Sequence, residues 1–198
     1  MATVSTPKMT AEEFFAWANR PENADRRFEL VNGEVEEMPP PKKGDGLLNW
    51  LIIRLLTEYV TRRGSGFLLT NDTGIVVERD PDTLRGADVM LFLRQPRPED
   101  LQPRYVEDVP DLIVEVLSEN DRPSQITRRV GQYLRHGVPL VWVIDPDDHT
   151  LTAYQLGEIP QVFDEQDQLT GNGVLPDFSC RVADLFTLPG QSPPAAAP

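Results

Sequence analysis

Apolar positions along the chain follow two periods. Leu48, Leu51, Ile52, Leu55, Leu56 and Tyr59 recur three and four residues apart, and this spacing predicts an amphipathic helix over residues 47–63 that Gly64 stops. On its outer side Arg54 precedes Glu58, and Glu58 precedes Arg62, by four residues each, a separation at which opposite charges support a helix. Thr10 to Glu13 form a capping box ahead of Phe14, Phe15 and Trp17, so a first helix begins there and ends by Pro21. A third helix is expected over residues 124–136, closed by Gly137.

The second period is that of strands. Arg27–Val31 and Glu34–Met38 flank Asn32-Gly33 and read as a hairpin with a two-residue turn. In that register Leu30 lies opposite Val35 on the face of Phe28, and Glu29 meets Glu36 on the other face. Like charges repel there unless a cation or solvent intervenes. Strands are also expected over residues 73–79, 87–93, 111–118 and 140–144, with Asp145-Pro146 stopping the last. Short strands near 150–156 and 160–163 finish the fold. Loops are expected at Pro39–Gly46 and Gln95–Val109, with a turn at Asp80–Thr83. There is no internal repeat. The elements add up to a mixed α/β (α+β) domain, a sheet core flanked by helices with an N-terminal helix and hairpin.

Composition narrows the function classes. The 198 residues suit one domain with decorations, and 39% are hydrophobic. No apolar run approaches the roughly 20 residues needed to span a bilayer, and the first residues lack the basic and apolar regions of a signal peptide, so a cytoplasmic location is expected. The single Cys180 excludes an intramolecular disulfide and a cysteine-cluster metal site. A net charge of −13 argues against a general nucleic-acid coat, since phosphate contacts come mainly from Lys and Arg. It leaves room for an enzyme whose acids gather at a metal. Lysines occur only at positions 8, 42 and 43; all other basic residues, His aside, are arginines.

Glu115 stands inside the apolar run Leu112–Leu117, and Asp88 opens the run Ala87–Leu93. A carboxylate in a buried strand must be hydrogen-bonded, paired with a positive charge or bound to a metal. Two acids on two core strands suit a hard-cation site. The alternative is structural: Asp88 merely opens its strand and Glu115 pairs with a buried arginine. Alternation puts Glu115 on the face of Ile113 and Leu117, and Asp88 on the face of Met90 and Phe92. Whether those faces coincide depends on strand order.

An ordered set of segments then becomes recognisable: Phe28–Glu34, Arg85–Asp88, Pro110–Ser118, Tyr133–Pro146 and Leu175–Phe178. From about residue 10 to residue 188 the chain resembles the Uma-type restriction endonuclease family of the PD-(D/E)XK nuclease superfamily. The resemblance implies a restriction-endonuclease-like fold and a single nuclease-like domain over residues 10–188; a flexible N-terminus is expected over 1–9, and Pro/Ala-rich composition predicts a disordered tail over 189–198. It also implies hydrolysis of phosphodiester bonds in DNA with Mg²⁺ or Mn²⁺, and a homodimer by analogy with nucleases that cut duplexes. Asp88 matches the family's first metal-binding acid, in Ala-Asp rather than Pro-Asp. Glu115 matches the second, and Glu29 matches the glutamate of the hairpin motif, a third acid near the site.

Two departures bear on catalysis. The superfamily lysine two residues past the second acid is Leu117 here. In this family that lysine resembles a migrated one, four residues before a tyrosine on the next helix; here Arg129 precedes Tyr133. Where many relatives have a histidine in the Pro-rich loop, this chain has Asp45. Arg129 falls at the edge of the stripe made by Ile126, Val130, Tyr133 and Leu134, from which it can reach a site beside the sheet. Two readings of it stand: it takes the lysine's place in catalysis, or it pairs with Glu115 and replaces the metal, leaving the fold as a binding or assembly module. His136 and His149 read as a helix-end and a turn residue, Trp142 as core, and Lys42 and Lys43 as solvated loop.

Overall fold

Residues 8–119 and 121–191 are described by the structure, a computed structural model. Most of the expected flexible N-terminus and Pro/Ala tail lies outside the described residues. In chain order the elements are α1 (Ala11–Ala18), β1 (Arg27–Val31), β2 (Glu34–Met38), α2 (Lys43–Arg63), β3 (Phe67–Glu78), β4 (Thr83–Phe92), β5 (Leu112–Val116), α3 (Pro123–His136), β6 (Leu140–Asp145), β7 (Thr150–Tyr154), β8 (Gln161–Phe163), β9 (Gln168–Thr170) and β10 (Ser179–Arg181). Short 3₁₀ turns lie at Pro98–Leu101 and Val182–Leu185.

The eight-stranded sheet runs β2-β1-β4-β5-β6-β7-β8, with β3 also paired to β4. Only β5 and β6 run parallel; the crossover between them is α3, as a parallel connection requires. Strand β4 is the pivot. Along one edge it pairs with β3 over most of its length. Its other edge is shared: β1 holds Leu84, and β5 holds Val89 to Leu91. Residues 85–88 therefore face a fork where β1 and β5 part.

Helices close the two faces. Leu48, Ile52, Leu56 and Tyr59 of α2 pack on Val89, Leu91, Leu112, Val114 and Trp142. On the opposite face, Val130 and Tyr133 of α3 pack on Met90, Ile113, Val141 and Val143. Phe14 of α1 joins Leu30, Val76 and Leu84 in a third cluster. The hairpin has the expected register, Leu30 opposite Val35 and Glu29 opposite Glu36. Thr10 caps α1 through a complete capping box, and Gly64 and Gly137 end α2 and α3 in the left-handed region that favours glycine.

Four sequence expectations need correction. Strand β4 begins at Thr83 rather than at residue 87. Lys43–Gly46 is the first turn of α2 rather than loop. Gly44 and Gly46 weaken helix propensity, but Asp45 places a negative charge in the first turn and accepts the Lys42 N–H at 2.9 Å. Strand β3 begins at Phe67, not residue 73, because Asn71 and Asp72 adopt positive φ in an irregularity that interrupts rather than ends the ladder. The fold also continues past residue 163. Strands β9 and β10, of three residues each, pair antiparallel and are too short to show a period. Between them Phe178 inserts beside Tyr59 and Trp142, both ring centroids 5.3 Å away.

Because Phe178 is 4% exposed, Phe178→Ala is expected to destabilise the chain by about 3–5 kcal/mol. Urea unfolding monitored by circular dichroism measures this. A loss within experimental error would mean that the β9–β10 segment does not seal the α2 face.

Candidate functional site

The β4–β5 register pairs Met90 with Ile113 and Val89 with Val114; one step further sets Asp88 opposite Glu115. Met90, Phe92 and Ile113 share the cluster under α3, so the two faces named by alternation coincide. The two acids are thus sheet neighbours at the fork. Neither ladder continues past Asp88, and its Oδ2 instead accepts the N–H of Val116 at 2.8 Å. Its Oδ1 accepts from Asn49 Nδ2 of α2 at 3.1 Å.

Glu115 is 2% exposed. Its Oε2 accepts from Arg129 Nη1 at 2.8 Å and its Oε1 from the Tyr133 hydroxyl at 2.5 Å. The i,i+4 spacing of Arg129 and Tyr133 on α3 lays both side chains over β5. Arg129 also lies 3.6 Å from Glu29 Oε2. Glu29, 3% exposed, is held more closely by Arg85 Nη1 at 2.7 Å and by the Gly86 N–H at 2.9 Å. The cation the hairpin register called for is therefore Arg85, while Glu36 opposite is exposed. Arg85 Nε in turn donates to Gln132 Oε1 at 2.9 Å, and Gln132 Nε2 to Glu78 at 2.8 Å.

Asp88, Glu115, Glu29, Gly86 and Arg129 line a groove of ≈ 570 Å³. Asp45 and Asp121 also line it, as do Lys42 and Arg27, which are paired with Glu119 and Asp72 respectively. Three carboxylates, Asp88, Glu115 and Glu29, face two guanidiniums, Arg85 and Arg129, leaving one negative charge uncompensated when all are ionised. The groups register the imbalance. Burial, and secondarily the charge of Asp88, pushes the Glu115 carboxyl up to about 7 against the pull of Arg129. Burial raises Asp88 as well, against its hydrogen bonds from Val116 and Asn49. Arg129 is held more firmly protonated by Glu115. Burial and the Glu115 charge lift Tyr133 well above the phenol range, so its hydroxyl remains a donor.

Among the described residues, no group of three or more His, Cys, Asp or Glu side chains is placed to hold a metal ion. The donor chemistry at the fork still fits a hard cation. Asp88 and Glu115 are adjacent oxygen donors, each oxygen with one hydrogen-bond partner and a lone pair to spare, and Mg²⁺ needs only one or two carboxylates beside water and substrate phosphate. Leu117, at the superfamily lysine position, packs in the α3 cluster. Asn49, Arg85 and Gln132 were not singled out by sequence. Gln132, 2% exposed, was detectable as a polar residue three positions from Arg129, beside the apolar stripe of α3.

A carboxyl raised above its unfolded value binds its proton more tightly in the folded chain. Its contribution to stability is thus present at low pH and lost as pH rises from about 4.5 through about 7. Subtracting the unfolding free energy of Glu115→Gln from that of wild type, in chelator, isolates this effect from other carboxylates. The difference is expected to decline by on the order of 3 kcal/mol across that window. A flat difference in urea titrations would mean that Arg129 and Tyr133 fully offset burial.

The comparisons with known proteins agree with this architecture. The family model Uma2, described as putative restriction endonuclease, matches residues 11–183. Among solved structures, the chain is similar to a putative nuclease belonging to DUF820 from Anabaena variabilis. The identity is 21%, the match covers 90% of this chain and 97% of that one, and the TM-score is 0.74. No curated protein matches. No helix in the described residues is long and apolar enough to cross a membrane. The extent of the family match, from α1 into the 3₁₀ turn after β10, means that this chain belongs to the Uma2 family of putative restriction endonucleases.

Proposed function

We propose that the chain is a Mg²⁺- or Mn²⁺-dependent endonuclease that hydrolyses phosphodiester bonds in DNA, with the fork of the sheet as its active site. The observation that carries this reading is the register step setting Asp88 opposite Glu115 on the floor of an open groove. Family membership supports it. Asp88 and Glu115 would hold the cation. When bound, it would lower the pKa of a water and neutralise charge developing on the scissile phosphate. Arg129 faces the same groove and supplies a guanidinium suited to phosphate oxygens; it stays protonated and so serves as an electrostatic clamp rather than a base. Glu29, through its 3.6 Å approach and its grip on Arg85, would position Arg129 rather than ligate metal. Tyr133 fixes the Glu115 carboxylate. The same reading takes the activity to be cytoplasmic and the protein to act as a homodimer, the arrangement that would bring two such grooves to the two strands of a duplex.

One observation favours a second reading. The 2.8 Å Arg129–Glu115 ion pair already gives the buried acid its counter-charge, as expected of a non-catalytic descendant that keeps the fold as a binding or assembly module.

Cleavage of supercoiled plasmid with Mn²⁺, run beside thermal melts, separates the two. The nuclease reading expects nicking by wild type, loss in Asp88→Asn and Glu115→Gln, loss in Arg129→Ala, and retained or increased cleavage in Arg129→Lys. The second reading expects no cleavage by wild type or Arg129→Lys, with Arg129→Ala destabilised by about 3–5 kcal/mol, as when one member of a buried pair is removed.

A further inference from the structure

The amide of Asn49 is only half accounted for. Its Nδ2 donates to Asp88 Oδ1 at 3.1 Å, which fixes the orientation of the group. Its Oδ1 is buried without a hydrogen-bond partner among the described residues. An unpaired buried carbonyl costs about 1–3 kcal/mol, and such an atom beside a functional acid needs a physical reason. The fork also offers a cation only two carboxylates among the described residues. Glu29 is committed to Arg85 and the Gly86 N–H, and no third acid is grouped with Asp88 and Glu115.

We infer that Asn49 supplies a further ligand: its side-chain carbonyl is a third oxygen donor for a divalent cation held by Asp88 and Glu115. The inference rests on reading the fork as a metal centre. Amide oxygens are ordinary partners of hard cations. Rotation of the amide about its terminal bond exchanges Nδ2 for Oδ1 beside Asp88. An oxygen in the place of Nδ2, which now lies 3.1 Å from Asp88 Oδ1, is repelled by the carboxylate unless a cation compensates both. Asn49 thus acts as a donor that steadies Asp88 in the metal-free chain and as a ligand when the cation is bound. Its position allows this: it follows Leu48 and precedes Ile52, both packed on the sheet, and so stands at the margin of the buried stripe of α2, within hydrogen-bond reach of Asp88.

Calorimetric titration of the full chain with Mn²⁺ in chelator-treated buffer tests the inference, with circular dichroism melts to confirm folding. Asn49→Ala is expected to weaken binding by at least about tenfold, since even outer-sphere partners are worth about 10–100-fold. Asn49→Asp is the discriminating variant. A ligand position gains an anionic oxygen and binds more tightly than wild type. A position that only donates to Asp88 loses its hydrogen bond, gains a repulsion and binds more weakly. Weaker binding by Asn49→Asp, or binding unchanged in both variants, overturns the inference while leaving the Asp88–Glu115 centre standing. No binding by wild type overturns the metal centre itself. If Asn49→Asp fails to fold, side-chain amide NMR of wild type with Mg²⁺ decides. The Asn49 amide resonances should move as their hydrogen bond to Asp88 is released; unmoved resonances at saturation overturn the inference.

Discussion

A buried carboxylate must find a partner for its charge, and this fold buries Glu115 and Glu29 almost completely beside the half-shielded Asp88. The solution is a chain of alternating charge through the interior: Glu115 to Arg129, Arg129 to Glu29, Glu29 to Arg85, then by way of Gln132 to Glu78. Five elements contribute its members, α3 twice, so the chain fixes how α3 lies across β1, β3, β4 and β5. Apolar packing alone would set the spacing of these layers. Directional hydrogen bonds to guanidinium groups set their register as well.

The fork in the sheet depends on the same groups. A strand edge left unpaired inside a protein exposes costly N–H and C=O groups. Along β4 the gap between β1 and β5 is covered by side chains, Glu29 taking the Gly86 N–H and Asp88 taking that of Val116 across the gap. The acids that define the site therefore also complete the sheet where its strands diverge. Gly86 is part of this arrangement. A Cβ there would come 3.1 Å from Asp72, so the irregular turn of β3 lies close over the fork because residue 86 has no side chain.

Much of this was legible in the sequence, for identifiable reasons. The hairpin register followed from a two-residue Asn-Gly turn, and the three helices from caps and long apolar stripes. Asp88 and Glu115 stood out because an acid within an apolar strand is conspicuous. Their meeting on one face required knowing that β4 and β5 pair antiparallel, which periodicity cannot supply. Arg129 was correctly placed at the margin of its stripe, yet its bond to Glu115 could be read only as one of two options. Asn49 and Arg85 were hidden for a plainer reason. A polar residue at the border of a helix stripe, or just ahead of a strand expected to begin at residue 87, looks like surface until the opposite layer is in place. Strands β9 and β10 escaped because three residues show no alternation.

The shared edge of β4 also bears on how the chain folds. Arg85 meets Glu29 across 56 residues and Asp88 meets Val116 across 28, so the charge chain closes only after distant segments have docked. Before β1 arrives, Arg85 and Arg129 would have one deeply buried carboxylate between them. Before α3 arrives, Glu115 would have none of its donors. Each partial assembly is left with an uncompensated charge in a closing interior, which penalises intermediates and makes docking of the last element favourable for all the others. Non-local closure of this kind slows folding, but it ties the opening of the groove floor to the unfolding of the whole sheet rather than to local fraying. The groove is rimmed by loops while its floor shares the stability of the core.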